Sequence, residues 1–378
     1  MKLSETLRER GYVYQHTGSL EEVVDGAPRT LYLGVDPTAD SMHAGQLMGM
    51  LVLRRFVESG HKLIVLVGGG TGMIGDPGGK SAERNLLDDS TVAHNSEALR
   101  AQFKQLLGGV DFDMVNNAQW LRKLNYLEFL RDIGKHFTIN EMIKRDSVRP
   151  RLETPDQSIS YTEFSYMLLQ AYDFLELNRR HGCDLQVGGS DQWGNIVSGV
   201  DLIRRKESGK AHAFSWPLLT DKSGKKFGKS EGNAVWLSAA KTPPFQFYQF
   251  WLSTDDEMVE ELLLKMTLLP KADIAAVMEE QTKDPSSRAA QKKLAYEVTT
   301  LVHGAAEADK AKEFKNLPII SAGKLRDAIK DVSTSELRRL VEQGGVSVGD
   351  GEKISSIDDV VPPGAVVRIG KNKFYEVK

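Results

Sequence analysis

The chain has 378 residues, of which 40% are hydrophobic and 27% are charged, and its formal net charge is −3. This composition excludes a chain that is disordered or fibrous throughout, and at roughly 100–200 residues per domain it predicts two to three domains. The near-neutral balance disfavours nucleic-acid binding through bulk charge and leaves a local basic patch open. A single cysteine, Cys183, excludes an intramolecular disulfide framework and a cysteine-based zinc cluster, and we expect no metal site.

The amino-terminal residues and the longest apolar run indicate the cellular compartment of the protein. Residues 1–15 lack the apolar core of a secretory signal. Residues 63–75 form an apolar, glycine-rich run that is shorter than the ~20 residues needed to span a bilayer. We therefore expect a cytoplasmic protein without a membrane partner.

The first half of the chain alternates strand and helix patterns. An amphipathic helix is predicted at about 41–59, directly after a strand and a turn. Residues 63–67 are uninterrupted apolar residues, as in a strand buried on both faces of a parallel sheet. The strand candidates are residues 30–35, 63–67, 112–115 and 184–187. This order predicts an α/β fold with a Rossmann-like, doubly wound parallel sheet.

The character of the sequence changes after about residue 217. A loop rich in Lys, Gly and Ser comes first, followed by a long stretch of helical pattern with breaks at Pro270 and at 284–287. The last residues combine a short helix pair with two strand patterns. The predicted divisions are an α/β domain at 1–220, a mobile lysine-rich loop and linker at 221–242, an α-helical domain at 243–316 and a small α/β module at 320–378.

Two segments have the composition of phosphate-binding elements. A helix that begins near Ser41, after the first strand, directs free N–H groups towards an anion at the carboxyl edge of the sheet. His43 can donate to a phosphate there, and Gly45 leaves room for a flat base. In the lysine-rich loop, Lys226 and Lys229 could close over a polyphosphate and stabilise a leaving pyrophosphate.

A third glycine-rich segment, residues 75–80, is not a P-loop. Three residues separate Gly75 from Gly79 and Lys80, whereas a P-loop requires four at that place. A P-loop kinase is therefore excluded.

A predicted helix at 162–176 carries polar residues where a solvent face would carry Lys, Glu and Arg. Tyr166, Gln170 and Asp173 fall within about 60° of one another on this helix. They form either one wall of a polar pocket or a partly exposed polar face. A pocket would suit a phenolic amino acid, because Asp173 can accept from its hydroxyl and Tyr32 can donate to the same oxygen. Asp76, with Gln170 and Tyr166, can surround the ammonium group.

Two short motifs carry a resemblance to a known family. His43-Ala44-Gly45-Gln46 and Lys226-Phe227-Gly228-Lys229-Ser230 resemble the two signatures with which class I aminoacyl-tRNA synthetases activate an amino acid on ATP. Residues 32–38, 75–77, 164–173 and 188–195 resemble the bacterial tyrosyl-tRNA synthetases. Gln46 departs from the second His of the first signature: it keeps an N–H donor but cannot become cationic.

The resemblance implies a role for each matching residue. Tyrosine-binding roles are implied for Tyr32, Asp36, Asp76, Tyr166, Gln170, Asp173, Gln186 and Gln192. Catalytic roles are implied for Thr38, His43, Gln46, Lys226 and Lys229. ATP contacts are implied for Gly34, Thr38, His43, Gly45, Gln46, Lys80, Arg84, Gly189, Asp191, Lys226, Lys229 and Ser230. The C-terminal module resembles the S4 RNA-binding domain, which implies RNA contacts by Arg338, Arg339, Arg368, Lys371 and Lys373.

The resemblance also implies the reaction and its partners. L-tyrosine and ATP, with Mg²⁺ accompanying the phosphates, would give tyrosyl-adenylate and pyrophosphate, and the tyrosyl group would pass to tRNA(Tyr). A homodimer and no tightly held cofactor are expected. The alternatives are a tryptophan enzyme of the same fold, a small-molecule adenylyltransferase and a non-catalytic RNA-binding paralogue. Asp173 with Tyr32 argues against tryptophan, because an indole N–H can only donate.

Overall fold

The computed structural model describes residues 1–76, 88–145, 148–154, 158–220, 227, 229–230, 233–312, 317–348, 352–370 and 373–378. The chain forms two compact units, Met1–Ala234 and Val235–Lys378. In the described part of the chain, none of the helices combines the length and the apolar composition that crossing a bilayer requires.

The first unit is built on a six-stranded sheet in the order β1-β6-β5-β2-β3-β4. Its strands are β1 Gln15–His16, β2 Thr30–Val35, β3 Lys62–Val67, β4 Asp113–Asn116, β5 Leu185–Gly189 and β6 His212–Trp216. Every pairing is parallel except that of β1 with β6. The predicted parallel sheet is therefore confirmed. A separate two-stranded ladder pairs β7 Lys229–Ser230 with β8 Asn233–Ala234.

Helices connect these strands and cover the sheet. They are α1 Leu3–Glu9, α2 Leu20–Val24, α3 Ala44–Glu58, α4 Asp89–Leu106, α5 Ala118–Leu121, α6 Tyr126–Asp132, α7 Ile139–Met142, α8 Arg149–Glu153, α9 Tyr161–His181 and α10 Trp193–Glu207. Strand β3 is buried from Leu63 to Val67, as its apolar run predicts. The long helix α9 packs Phe174 and Leu175 into the core beneath β2 and β3.

The start of α3 and two strands, β1 and β6, differ from the sequence-based expectation. Helix α3 begins at Ala44 rather than near Ser41, because His43 is its N-cap and the backbone of Met42 bonds instead to Gln102 of α4. Strand β6 was not predicted, although all five of its residues are buried. Its His, Ser and Trp residues interrupt the aliphatic run by which a buried strand is recognised.

The second unit begins with five helices: α11 Pro244–Leu252, α12 Asp256–Met266, α13 Lys271–Lys283, α14 Ala289–His303 and α15 Ala305–Lys312. The predicted breaks are confirmed, since Pro270 is the N-cap of α13 and Pro285–Ser287 form a short 3₁₀ turn.

The C-terminal part of this unit has a hydrophobic core of its own. Its elements are β9 Ile319–Ile320, β10 Gly323–Lys324, α16 Leu325–Ala328, α17 Thr334–Glu342, β11 Val346–Val348, β12 Glu352–Lys353, β13 Val360–Val361, β14 Val366–Ile369 and β15 Lys373–Val377. Five of the strands form a sheet in the order β12-β11-β14-β15-β9. Leu325, Leu337, Val346, Val367 and Val377 lie in the core beneath it.

Candidate active site

Strands β2 and β5 are neighbours in the sheet, and the direction in which successive strands are added reverses between them. From β2 the chain continues to β3 and β4 on one side, and it returns to form β5 and β6 on the other. At such a reversal the connecting segments diverge and open a crevice that binds ligands in open α/β sheets. Four of the predicted tyrosine- and ATP-binding residues lie on these two strands: Tyr32, Gly34, Gln186 and Gly189.

Two buried polar groups lie close enough on β2 and α9 to influence each other electrostatically. Tyr32 on β2 has no exposed surface, and Asp173 on α9 is 2% exposed. The Asp173 carboxylate accepts hydrogen bonds from Asn117 Nδ2 at 2.9 Å and from Trp120 Nε1 at 2.7 Å. A carboxylate offers about four acceptor positions. Asp173 can therefore accept a further hydrogen bond from a ligand.

Burial dominates the electrostatics of this pair. It raises the pKa of Asp173 to about 7, while the hydrogen bonds from Asn117 and Trp120 act in the opposite direction by stabilising the carboxylate. Burial also raises the pKa of Tyr32, and the nearby Asp173 carboxyl adds to that shift. The Tyr32 hydroxyl is therefore protonated and able to donate at neutral pH.

The Tyr32 hydroxyl is unpartnered among the described residues, and so is the side-chain oxygen of Gln186. In the parallel ladder of β2 and β5, Tyr32 is paired with Gln186, so the two side chains are neighbours. Leaving buried polar atoms without partners is costly, and these two belong to neighbouring side chains beside the Asp173 carboxyl. Together they indicate a polar ligand at this position.

A second polar group joins three of the predicted residues. Gln192 Nε2 donates to Asp76 Oδ2 at 2.7 Å, and Gln170 Nε2 donates to Gln192 Oε1 at 3.4 Å. Tyr166 is 7% exposed on the same helix as Gln170. The structure thus brings Asp76, Gln170 and Gln192 together, with an acceptor carboxylate that suits an ammonium group.

The glycines after β3 allow polar side chains to approach the backbone. A Cβ atom at Gly68 would collide with the Asp36 carboxylate, and one at Gly69 would collide with the Asn116 side chain. Thr71 Oγ1 lies 3.5 Å from Asp36 Oδ1 and accepts from Asn117 Nδ2 at 2.9 Å. The glycine run is therefore required for packing Asp36 against the end of β3.

The first signature forms the amino-terminal end of α3. The amide of Gly45 donates to His43 Nδ1 at 3.1 Å, which places the proton of a neutral imidazole on Nε2. The amide of His43 donates to Gln46 Oε1 at 3.1 Å, completing a capping box. Gln46 is exposed and its Nε2 is not used in that bond. A Cβ at Gly45 would collide with the carbonyl oxygen of Phe227, so this residue of the second signature lies against the first.

The remaining predicted ATP contacts lie at strand ends. Gly189 ends β5, and a Cβ there would come within 2.9 Å of Asp191 Oδ1. Gly34 is exposed on β2, with open space where a side chain would be, and Thr38 is exposed in the following turn.

Some predicted residues are not described by the structure. Lys80, Arg84, Lys226 and Lys371 lie outside the described residues, and only the backbones of Lys229 and Ser230 are described, in β7. Their assignments remain predictions.

The predicted RNA-binding residues differ in how far they are engaged. Arg338 is exposed on α17, whereas Arg339 forms an ion pair with Glu336 at 2.6 Å. Lys373 bonds to Asp331 at 2.8 Å, and the Arg368 guanidinium lies over the Phe374 ring at 5.8 Å. Exposed ion pairs are weak and can exchange for phosphate contacts.

Asn117 and Trp120 were not anticipated from the sequence. They follow β4 and reach Asp173 across more than 50 positions of the chain. No periodicity connects residues so far apart, but a polar Asn two residues beyond the predicted strand at 112–115 of a parallel sheet is a signal for a site residue.

The described residues contain no cluster of three or more His, Cys, Asp or Glu side chains suited to hold a metal ion.

Comparisons with known proteins agree on one family. Residues 25–317 match the family described as tRNA synthetases class I (W and Y). The chain is 43% identical over 420 aligned positions to tyrosine–tRNA ligase 2 of Enterococcus faecalis, covering 99% of this chain and 98% of that protein. It is 40% identical over 416 positions to the tyrosine–tRNA ligase of Roseiflexus castenholzii, covering 98% of each. Among solved structures, a C-terminally truncated mitochondrial tyrosyl-tRNA synthetase from Aspergillus nidulans has a TM-score of 0.72 and 36% identity, covering 83% of this chain and 93% of that chain.

Proposed function

The chain belongs to the class I tRNA synthetases of the tryptophan and tyrosine group, and from this premise we propose that it is a tyrosine–tRNA ligase. One observation in the site carries the choice of amino acid. The buried Tyr32 hydroxyl has no partner in the described chain, and the buried Asp173 carboxylate on the neighbouring helix retains acceptor positions. A phenol hydroxyl can accept from the first and donate to the second.

The reaction needs positioning and charge stabilisation rather than covalent help from the protein. The tyrosine carboxylate attacks the α-phosphorus of ATP, and the bond from that phosphorus to the bridging oxygen breaks to release pyrophosphate. Asp76, Gln170 and Gln192 hold the ammonium end, so the carboxylate points towards the carboxyl edge of the sheet. The Nε2–H of His43 donates to the phosphate oxygens, and the positive end of the α3 dipole stabilises their charge.

The second step transfers the tyrosyl group to tRNA. A ribose hydroxyl at the 3′ end of tRNA(Tyr) attacks the tyrosyl carbonyl, and AMP leaves. The exposed Arg338, with Arg339, Arg368, Lys371 and Lys373, provides phosphate contacts for the same tRNA. Lys80, Arg84, Lys226, Lys229 and Ser230 act on the pyrophosphate side of ATP, with Mg²⁺ arriving as part of the nucleotide substrate.

The tryptophan enzyme is the alternative within the family. An indole N–H could donate to Asp173, but it has no acceptor for the Tyr32 hydroxyl, which would stay buried and unpaired. This favours tyrosine.

The proposal includes an oligomeric state and a cellular compartment. Among the described residues of 126–161, six large apolar side chains are exposed: Tyr126, Leu127, Ile139, Ile143, Leu152 and Tyr161. We define these six as the 126–161 apolar surface, and a second copy of the chain covers it in a homodimer. The dimer works in the cytoplasm, where ATP and tRNA are present.

Pyrophosphate exchange measured across amino acids tests the proposal. The full chain, with ATP and Mg²⁺, should exchange pyrophosphate with tyrosine and far more slowly with phenylalanine or tryptophan. Faster exchange with tryptophan would favour the alternative enzyme, and no exchange with any amino acid would contradict a catalytic function.

A further inference from the structure

Two amide side chains of α4 hold the segment that carries Thr38 and His43. Asn95 Nδ2 donates to the carbonyl oxygen of Pro37 at 2.8 Å. Gln102 uses both ends of its amide: Oε1 accepts from the Met42 amide at 2.8 Å, and Nε2 donates to Ser41 Oγ at 3.0 Å. The bonds therefore fix both ends of the stretch from Pro37 to Met42.

These backbone groups lie between a strand and a helix, so regular secondary structure does not use them. Strand β2 ends at Val35, and α3 begins at Ala44. Pro37, Ser41 and Met42 are buried, whereas Thr38 between them is exposed. Buried backbone groups require partners, and α4 supplies them.

The two amides occupy one face of α4. Residues seven positions apart lie on the same side of a helix, about 10 Å apart along its axis. Between them on this face Leu99 is 4% exposed, and Asn95 itself is 6% exposed. An asparagine in the buried stripe of a helix is unusual without a specific partner, and here the partner is the Pro37 carbonyl.

We propose that Asn95 and Gln102 are positioning residues for adenylate formation, which act by fixing Thr38 and His43 relative to the bound ATP. This inference rests on the proposed function. Neither side chain touches a reacting atom. Their effect is transmitted through the backbone of residues 37–42, where a displacement of about 1 Å can lower a rate about 10²-fold.

Isosteric variants of the full-length protein test the proposal. Asn95→Leu removes the donor to Pro37, and Gln102→Met removes both bonds of Gln102. Each should lower the rate constant of adenylate formation per active site about 10- to 100-fold at saturating tyrosine and ATP. The dissociation constant for tyrosine should change by less than about twofold, because Tyr32, Gln170 and Asp173 lie on β2 and α9, outside residues 37–42.

Two further variants separate positioning from stability. Gln102→Glu keeps an acceptor for the Met42 amide and should recover most of the rate lost in Gln102→Met. Glu97→Gln, on the same helix with a side chain 80% exposed, should leave the rate unchanged. Active-site titration counts folded sites, so unfolding cannot imitate the effect.

Unchanged rate constants per site in Asn95→Leu and Gln102→Met would overturn the inference, as would a Gln102→Glu variant no faster than Gln102→Met. Because the wild-type protein is measured first, an absence of tyrosine-dependent adenylation there would instead refute the proposed function.

Discussion

The Asp173 carboxyl illustrates how a single residue can be tuned for specificity. It is only 2% exposed, and burial alone would favour its neutral form at physiological pH. Asn117 and Trp120 donate to it and favour the ionised form, in which both oxygens are acceptors. The site thus uses two neutral donors to keep an acceptor for the substrate hydroxyl without introducing a buried cation.

This balance predicts a pH-dependent preference for tyrosine over phenylalanine. With the pKa of Asp173 at about 7, the carboxylate gains population as pH rises through 7, so the ratio of kcat/KM for the two amino acids should rise between pH 6 and 8. Titration of a group that changes kcat/KM equally for both amino acids cancels in this ratio.

Trp120→Phe should shift the pH dependence of this ratio. The variant removes a donor to the ionised form, which raises the pKa of Asp173 by about 1 unit for a hydrogen bond of about 1.5 kcal/mol. The midpoint should therefore shift to higher pH. Trp236→Phe, the same substitution at a residue of the second unit, is the control. A profile that is flat, or that shifts equally in both variants, would contradict the role given to Trp120.

At the scale of the elements, the amino terminus of α3 predicts unequal roles for His43 and Gln46. His43→Ala should lower the rate of adenylate formation ~10²–10³-fold, as loss of one donor to a developing oxyanion does. Gln46→Ala should cost less, since its Oε1 caps the His43 amide and only its Nε2 is available to ATP.

Pre-steady-state formation of adenylate measures both effects, and Glu58→Gln at the other end of α3 is the matched control. The tyrosine dissociation constant should hardly change in any of them. Equal losses at His43 and Gln46 would show that Gln46 has an equivalent function.

The elements also show which parts of the site could be predicted. The common face of Tyr166, Gln170 and Asp173 follows from the helical period, and the structure places all three on α9. The pairing of Tyr32 with Gln186 depends on the register of β2 against β5, which no local pattern determines. Asn95 and Asn117 bond to groups more than 50 positions away, so only the folded chain reveals their partners.

At the scale of the whole molecule, the 126–161 apolar surface predicts a dimer that charge can disrupt. Leu127 is 74% exposed, and Leu127→Asp should place a carboxylate in the interface and shift the protein towards the monomer in sedimentation velocity. Val360→Asp, at a residue 69% exposed in the second unit, should leave the dimer intact. A monomeric wild-type protein, or a Leu127→Asp variant that sediments as wild type, would contradict the assignment.

Amino-acid activation should not require the C-terminal part of the chain. Residues 320–377 have their own core, so a chain that ends at Lys312 removes it without opening the sheet of the first unit. Tyrosine-dependent pyrophosphate exchange should persist. Charging of tRNA should fall by at least about tenfold, equivalent to about 1.4 kcal/mol of lost binding. Undiminished charging by the shortened chain would refute the RNA-binding role of this part.

The central claim is that the buried pair Tyr32 and Asp173 recognises the substrate hydroxyl. Phenylalanine lacks that hydroxyl, so its binding leaves both groups unpaired. Pyrophosphate exchange with tyrosine and with phenylalanine, in the wild type and in Asp173→Ala, measures this directly. Loss of a hydrogen bond to a charged group costs about 1.5–3 kcal/mol, so the preference for tyrosine should shrink ~10–100-fold, and less in Tyr32→Phe. An equal decrease of tyrosine and phenylalanine use in Asp173→Ala would contradict the claim and make Asp173 a purely structural residue.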